Sequence, residues 1–330
     1  MPEALLSLDR VSQVFRAGSA EVRAVDDVSL KIVEGQVVCL VGESGSGKTT
    51  SAKIAAGLYQ PSAGSVRFQG HDIWKMDSDQ FKTYRRAVQY IHQDPYASLN
   101  PIRTVFDTLA APLRHHGIVR NKTEAIRRAS DLLVTVDLTP PENFLFKYPH
   151  QLSGGQRQRV SVARALTLDP RLIAADEATS MLDVSIRVSL LNMLRRLCAD
   201  LGVSFMFITH DLAIAKYFAW DGSIAVMYLG RIVEYGPTPT IINSPRHPYT
   251  RALLAAIPEP DPDLTRKRER VQLRELEIGS LAQVPTGCSF HPRCPLFEDG
   301  LCNVIRPELE HVDGDVVACH VVTRGERAES

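Results

Sequence analysis

The chain has no long apolar run and no excess of charge of either sign. Its 330 residues contain 38 Lys and Arg against 38 Asp and Glu, so it has no overall basic field with which to hold nucleic acid. No apolar run approaches the roughly 18 residues needed to span a bilayer. The start, Met1–Leu6, also lacks the apolar stretch of a signal peptide. We therefore expect a cytosolic chain that reaches a membrane only through partner proteins.

The length exceeds that of a usual single domain, which predicts one large domain with a smaller appendage. The composition changes at Pro258-Glu259-Pro260-Asp261-Pro262-Asp263, a stretch typical of a linker. The basic run 266–270 is interpreted as a solvated part of this linker. We therefore predict a main domain over residues 1–257 and a C-terminal extension over residues 258–330.

A phosphate-loop motif, G-x-x-x-x-G-K-T, follows directly after the apolar run Val37–Val41. Its glycines let consecutive backbone N–H groups curl around phosphate oxygens, and the start of the next helix adds a positive dipole end. Lys48 would neutralise the β and γ oxygens, and Thr49 would hold Mg²⁺. A chance Gly/Ser turn is disfavoured because the strand, loop and helix context agree. The candidate nucleotide-binding residues are Gly42, Ser44, Gly45, Gly47, Lys48, Thr49 and Thr50.

Strands and helices alternate along the chain, which predicts an α/β fold. The amphipathic stretch Ser185–Leu201 places Ile186, Leu190, Met193, Leu194 and Leu197 on one face, as expected of a helix packed on a core. A hairpin is predicted to turn at Gly230.

A second chemical element is the apolar strand that ends at Asp176 and Glu177. In a chain with a phosphate loop, a carboxylate at a strand end is suited to hold Mg²⁺ through its water shell. By strand alternation Glu177 would project to the opposite side, where it could act as a general base towards water. Strand ends are commonly acidic and exposed, so this motif alone is weak evidence for a metal-binding carboxylate. Its presence in a chain with a phosphate loop is what favours that interpretation.

Between these two motifs, Leu152-Ser153-Gly154-Gly155-Gln156 precedes a helix rich in arginine and small residues. This sequence resembles the signature of the ATP-binding cassette (ABC) family, whose other motifs follow in order. Gln93 matches the Q-loop, Asp183 the D-loop and His210 the switch histidine, while Phe15 stands where the family stacks an aromatic on adenine. Ala178 and Met181 depart from the family, which generally has proline and alanine there.

The resemblance implies an ABC-type P-loop NTPase with a RecA-like mixed sheet, an antiparallel β subdomain and a helical subdomain at about 94–152. It implies that Thr49, Gln93 and Asp176 bind Mg²⁺, that Glu177 is the base and that His210 contacts the γ-phosphate. In the family, Ser153, Gly154, Gly155 and Gln156 close over ATP on a facing subunit, and Asp183 communicates across that dimer interface.

Further stretches resemble the dipeptide/oligopeptide importer branch: 93–101, 182–185, 227–230 and 247–250. The sequence Tyr-Ala-Ser-Leu-Asn-Pro at 96–101 resembles that of the second, F-type ATPase subunit of these importers. This resemblance implies import of di- or oligopeptides, a heterodimer with another ATPase subunit, two transmembrane permease subunits and an extracytoplasmic solute-binding protein. The chain would then lie at the cytoplasmic face of the membrane.

Four cysteines crowd the C-terminal extension: Cys288, Cys294, Cys302 and Cys319. Disulfides are unexpected in a reducing compartment, and a small tail with few apolar residues favours a metal staple. Four thiolates suit either tetrahedral zinc or an iron–sulfur cluster. The tail also resembles that of peptide-importer ATPases, some of which carry a [4Fe–4S] cluster there, and this favours the cluster in a small Cys-rich domain. Cys39 and Cys198 are expected to be buried apolar residues.

Other functions remain open at this stage. A soluble ABC ATPase acting on ribosomes or nucleic acid is disfavoured by the neutral charge and the single cassette. A regulatory module without turnover is disfavoured by the presence of Glu177 and His210. Importers similar to the peptide family also move oligosaccharides, nickel complexes or glutathione, and this chain does not select the solute.

Overall fold

The computed structural model of the protein describes residues 3–17, 20–257, 271–277 and 279–329. The predicted linker 258–263 and the basic run 266–270 lie outside the described residues. The domain limits placed there remain a prediction. The chain divides into two compact units: unit 1 is Met1–Glu3, Val33–Gln36 and Lys75–Phe207, and unit 2 is Ala4–Ile32, Val37–Trp74 and Ile208–Ser330.

The strands are numbered in chain order. They are β1 Ala4–Ala17, β2 Ala20–Val33, β3 Val37–Val41, β4 Ala63–Phe68, β5 His71–Asp72, β6 Val88–Ile91, β7 Leu172–Asp176, β8 Ser204–Thr209, β9 Ser223–Tyr228, β10 Arg231–Pro237, β11 Glu310–Val312 and β12 Asp315–Val317.

The α-helices are numbered in the same way. They are α1 Lys48–Ala55, α2 Ser78–Ala87, α3 Pro95–Ser98, α4 Val105–His115, α5 Lys122–Thr135, α6 Glu142–Leu145, α7 Gly154–Leu166, α8 Val184–Leu201, α9 Leu212–Phe218, α10 Thr238–Asn243, α11 Pro248–Ala255 and α12 His320–Glu329. Short 3₁₀ turns lie at Ile73–Lys75 and Pro149–Gln151.

Unit 2 contains strands of two sheets. The first sheet has four strands in the order β2-β1-β4-β5, and β4 is antiparallel to both β1 and β5. In the second, β3 is parallel to β9, while β9, β10, β12 and β11 follow one another as antiparallel neighbours. All five residues of β3 are buried, as expected for a strand covered on both faces. This mixed sheet confirms the predicted fold class.

The predicted hairpin turns at Leu229 and Gly230, because Tyr228 of β9 pairs directly with Arg231 of β10. Both turn residues have positive φ, 42° for Leu229 and 85° for Gly230. Two positive φ values are typical of the tight two-residue turns whose twist matches that of paired strands.

Unit 1 pairs β6 with β7 in parallel and is otherwise mainly helical. The region predicted to be a helical subdomain contains α3, α4, α5 and α6, and α5 packs against both α4 and α7. Helix α8 begins one residue before the predicted start. Four residues of its predicted apolar face are buried, namely Leu190, Met193, Leu194 and Leu197, while Ile186 is half-buried.

The cysteine-rich tail is part of the unit 2 sheet. Strand β12 pairs with β10 through Val317 and Glu234, and the N–H of Ala318 donates to the carbonyl of Val233 at 2.9 Å. The prediction of a small separate C-terminal domain is therefore not supported. The physical reason is that an isolated two-stranded hairpin is marginal in water, whereas the edge of β10 offers it a third strand.

Among the described residues, no helix is both long enough and apolar enough to cross a membrane.

We expect the pairing of β12 with β10 to contribute to the stability of the whole unit. Val317 is fully buried, whereas its neighbour Val316 is half-buried. Val317→Asp would bury an unpaired carboxylate and should lower the free energy of unfolding by about 3 kcal/mol, against under about 1 kcal/mol for the control Val316→Asp. Urea unfolding followed by circular dichroism measures both. Equal losses of unfolding free energy in the two variants would contradict the contribution of the β12–β10 pairing to the stability of the unit.

Candidate functional site

The phosphate loop of unit 2 joins the end of β3 to the start of α1. Gly47 immediately precedes α1 and has a φ of 101°. A Cβ atom at Gly47 would lie 2.2 Å from the carbonyl oxygen of Ala24, and one at Gly42 would lie 2.1 Å from that of Met227. Side chains are therefore excluded at both ends of the loop, because neighbouring backbone packs directly against it.

Lys48 fills the centre of this loop. Its side chain is buried, and Nζ donates to the carbonyl oxygens of Gly42 at 2.8 Å and Glu43 at 2.7 Å. The Oγ of Ser46 lies 3.2 Å from the same nitrogen. An ammonium removed from water requires such compensation. The loop therefore presents a fixed positive charge, surrounded by backbone, of the kind that binds phosphate oxygens.

The β9–β10 turn supports the loop from behind. The N–H of Gly230 donates to the carbonyl of Ser46 at 2.9 Å, and its own carbonyl accepts from the N–H of Asp26 at 2.9 Å. Thr49 and Thr50 follow Lys48 in the first turn of α1 and are half-buried. Ser44 and Gly45 lie at the exposed tip of the loop.

Phe15 lies on β1 with about 38% of its surface exposed, as expected for an aromatic that receives a flat ligand. Its ring meets the ring of Tyr59 edge-on at a centroid distance of 5.9 Å. Lys53 lies 5.5 Å from the centroid of Tyr59. Sequence reasoning missed Tyr59, because nothing in the chain marks it as a neighbour of β1.

The carboxylates at the end of β7 belong to unit 1. Asp176 is buried and accepts a hydrogen bond of 2.7 Å from the hydroxyl of Tyr90. Tyr90 lies on β6, where it is in register with Ala174 of β7. This hydroxyl compensates a buried carboxylate. The sequence contains one signal for this contact, because Tyr90 stands three residues before the predicted site residue Gln93.

Glu177 does not continue the strand. The strand ends at Asp176 and the φ of Glu177, 43°, is left-handed, so the strand alternation from which its side-chain direction is predicted does not extend to Glu177. The left-handed turn instead brings its carboxylate to Gln93, whose Nε2 donates to Oε2 at 2.8 Å. Non-glycine residues in this conformation are uncommon and often functional. The structure thus joins two residues that the sequence predicted separately.

The signature residues start helix α7. Ser153 is its N-cap, where its hydroxyl accepts from the N–H of Gln156 and the side chain of Gln156 accepts from the N–H of Ser153. This reciprocal pair is a capping box. A Cβ atom at Gly155 would lie 2.6 Å from Ile186 of α8. Glycine is therefore required there for close helix packing. Gly154 precedes it at the start of the helix.

An open depression of about 270 Å³ lies at this helix start and is lined by Ser153, Gly155, Gln156, Arg159, Ser185, Ile186 and Ser189. Its lining combines polar side chains with Gly155 and the apolar Ile186. Asp183 is exposed at the N-cap of α8, but its side chain makes no capping hydrogen bond.

His210 is exposed in unit 2, immediately after β8. The next residue, Asp211, fixes the turn by accepting hydrogen bonds from the N–H groups of Ala213 and Ile214 at the start of α9. The strand end and the helix cap together set the position of the histidine backbone.

The four tail cysteines are brought together. Cys288, Cys294, Cys302 and Cys319 line one small cavity of about 10 Å³ and none is in a disulfide. Burial raises the pKa of Cys288 to about 11 and that of Cys294 to about 12. The thiols of Cys288 and Cys294 would therefore have to lose protons to bind a metal.

The spacing of these thiols does not make a metal site. Within the described ranges, no group of three or more His, Cys, Asp or Glu side chains is arranged to hold a metal ion. The cavity has about the volume of one water molecule, so the sulfur atoms would have to move apart to admit an iron–sulfur cluster. The donor set suits such a group, but the predicted cluster and the zinc alternative are not supported by this arrangement.

Three further residues that sequence reasoning missed surround Glu43, the second residue of the phosphate loop. Arg293 pairs with its carboxylate, the hydroxyl of Tyr249 accepts from its N–H, and Tyr228 packs beside both.

Comparison with known proteins agrees with this geometry. The ABC transporter family pattern matches residues 25–180, and the pattern of the oligopeptide/dipeptide transporter C-terminal region matches residues 233–302. The chain is 42% identical to the oligopeptide transport ATP-binding protein OppF of Salmonella typhimurium, over 90% of this chain and 87% of that protein. It is also 42% identical to YkfD of Bacillus subtilis, over 98% of each chain.

A solved dimeric post-hydrolysis state of the ATP-binding cassette MJ0796, bound to ADP and Pi, shares the fold. It has a TM-score of 0.63 and 30% identity, covering 71% of this chain and 98% of that one. The family patterns, the relatives and the phosphate-loop geometry lead to one conclusion: the chain belongs to the ABC transporter family of ATP-hydrolysing subunits and carries the C-terminal region of its oligopeptide/dipeptide transporters.

Proposed function

We propose that this chain binds and hydrolyses ATP to power the import of di- or oligopeptides. The observation that carries the proposal is the caged ammonium of Lys48 in a loop closed at both ends by glycine. The relatives named as oligopeptide transport proteins support the transported class. The proposal has two parts, a nucleotide chemistry and a transport role.

The nucleotide roles in unit 2 follow from the groups present. Lys48 would exchange its loop carbonyl partners for the β and γ oxygens of ATP, which carry more charge than a carbonyl. Thr49 would hold Mg²⁺ by its hydroxyl, and Phe15 would stack on adenine. The loop glycines 42, 45 and 47, with Ser44 and Thr50, would complete the phosphate cradle. His210 would contact the γ-phosphate.

The roles in unit 1 rest on its carboxylates. Asp176 and the amide oxygen of Gln93 are oxygen ligands of the kind that Mg²⁺ prefers. When bound, Mg²⁺ would neutralise the negative charge that develops on the phosphate oxygens during hydrolysis. Glu177 would accept a proton from the attacking water as general base. Its hydrogen bond to Gln93 orients the carboxylate before any ligand arrives.

The signature residues are proposed to act on a second subunit. Ser153, Gly154, Gly155 and Gln156 stand at a helix start beside an open depression. A helix start favours an anion, and the γ-phosphate of a facing ATPase subunit is the proposed anion. Asp183 is exposed at the start of α8. We propose that it contacts the same facing subunit. The partner subunit in this proposal is a different ATPase chain, which makes a heterodimer.

The transport role requires further partners. We propose two transmembrane permease subunits, an extracytoplasmic solute-binding protein and peripheral attachment at the cytoplasmic face of the membrane. Matching of residues 233–302 to the oligopeptide/dipeptide transporter region supports this assignment. Importers of an oligosaccharide, a nickel complex or glutathione are the alternatives.

A [4Fe–4S] cluster in the tail is the last part of the proposal. It rests on the donor set, since Cys288, Cys294, Cys302 and Cys319 line one cavity and form no disulfide, and it requires their sulfur atoms to move apart to admit the cluster. The role of the cluster would be structural, joining three separate stretches of the tail. Zinc remains the alternative occupant for four thiols.

Replacing the proposed base tests the chemistry. Glu177→Gln keeps the shape of the side chain but removes its proton affinity, so ATP turnover by the assembled transporter should fall at least about 100-fold. Phosphate release measures this, and ATP should be retained on the closed dimer. Asp131→Asn, an exposed change on α5 in the same unit, is the control. Unchanged turnover in Glu177→Gln would refute the base assignment.

Reconstitution tests the transport role. The chain, its partner ATPase, the two permeases and the binding protein are placed in liposomes, and ATP-dependent uptake of labelled peptides is measured. Peptide uptake that unlabelled peptide competes away is expected. Competition by an oligosaccharide, a nickel complex or glutathione instead would replace the proposed substrate.

Anaerobic purification tests the cluster. We expect a coloured protein with about four iron atoms per chain, and loss of iron in Cys302→Ser but not in the control Cys198→Ser. A colourless protein without iron would remove this part of the proposal, and zinc in its place would support the alternative.

A further inference from the structure

An ion pair between Arg293, which is buried, and Glu43, which is half-buried, ties the phosphate loop to the cysteine-rich tail. The two terminal nitrogens of Arg293 donate to the two carboxylate oxygens of Glu43, at 2.9 and 3.1 Å. The side chain of Arg293 is only about 9% exposed. A two-pronged pair of this kind fixes orientation as well as distance. Breaking it from one side would leave a buried charge without its partner.

The surroundings hold both partners in place. The guanidinium of Arg293 lies 5.6 Å from the ring centre of Phe290 and 5.9 Å from that of Tyr228. Tyr249 packs against both aromatic rings, at centroid distances of 4.6 Å to Tyr228 and 5.4 Å to Phe290. All three aromatic residues are buried. The pair therefore lies in a rigid aromatic box with little room to rearrange.

Glu43 is held at every polar group it has. Its carboxylate binds Arg293, and its N–H donates to the hydroxyl of Tyr249 at 2.9 Å. Its carbonyl oxygen accepts from Nζ of Lys48 at 2.7 Å and from the N–H of Ser46 at 3.2 Å. A displacement of the Glu43 backbone would therefore move a hydrogen-bond acceptor of the phosphate-binding ammonium.

Arg293 is itself positioned by the tail. Its N–H donates to the carbonyl of Phe290 at 3.0 Å, and its carbonyl accepts from the N–H of Arg274 at 3.2 Å. The next residue is Cys294, which lines the four-cysteine cavity together with Phe290. The tail thus presents a fixed guanidinium to a loop that lies 250 residues earlier in the chain.

We propose that Arg293 is a positioning residue of the nucleotide site, through which the C-terminal tail holds the phosphate loop in its binding-competent form. Without the pair, the loop would have to be ordered when ATP binds, and that ordering cost would weaken affinity. The residues proposed to act on the γ-phosphate and the attacking water would be unchanged once ATP is bound. The turnover rate at saturating ATP would therefore be nearly preserved. This inference rests on the proposed function, since it assigns Arg293 to ATP binding.

The test separates affinity from turnover in the assembled transporter. For Arg293→Ala we expect the Kd of a fluorescent ATP analogue and the KM for ATP to rise about tenfold, with kcat within about twofold of the parent protein. Arg293→Lys keeps the charge without the two-pronged geometry and should recover part of the affinity. Arg324→Ala removes the same charge from a tail residue that pairs with Glu298, and should leave Kd unchanged.

A gentler variant guards against misfolding. Tyr249→Phe removes only the acceptor for the N–H of Glu43 and should raise Kd about threefold. If Arg293→Ala and Tyr249→Phe lower the melting temperature but leave Kd unchanged, the pair merely anchors the tail and the inference is overturned. If the parent protein itself binds no ATP, the proposed function fails instead, so the two failures are distinguishable.

Discussion

The buried ammonium of Lys48 is the constraint on which the nucleotide half of the structure depends. A cation withdrawn from water must be surrounded by oxygen atoms, and here these come from Gly42, Glu43 and Ser46. The loop can supply them only by a tight curl, which forces glycine where neighbouring backbone approaches within van der Waals distance. The β9–β10 turn and the aromatic box around Glu43 then fix this curl from outside.

Local signals in the sequence predicted much of this structure. The phosphate loop, the strand ending at Asp176, the helix from about 185 and the hairpin at Gly230 all follow from patterns within a few residues. Turn chemistry, apolar periodicity and a motif with its flanking strand are short-range properties. Physical reasoning from one chain can recover them because the residues that decide them are adjacent.

The features that depend on residues far apart in the chain could not be predicted from the sequence. The left-handed backbone of Glu177 is imposed by the turn that follows β7, and its meeting with Gln93 depends on the parallel register of β6 and β7. The sequence predicts a small Cys-rich C-terminal domain, but the open edge of β10 pairs with β12. Two partners of Glu43, Tyr249 and Arg293, lie more than 200 residues away in the chain. No local pattern specifies such pairings.

The separation of Glu43 and Arg293 has a consequence for the order of events during synthesis. At about 5–20 residues per second, the 250 residues between them take roughly 13–50 s to be made. During that interval a nascent chain already contains a complete phosphate-loop motif but lacks the guanidinium that anchors it. The loop therefore gains this anchor, and with it full nucleotide affinity, only after Arg293 has been made.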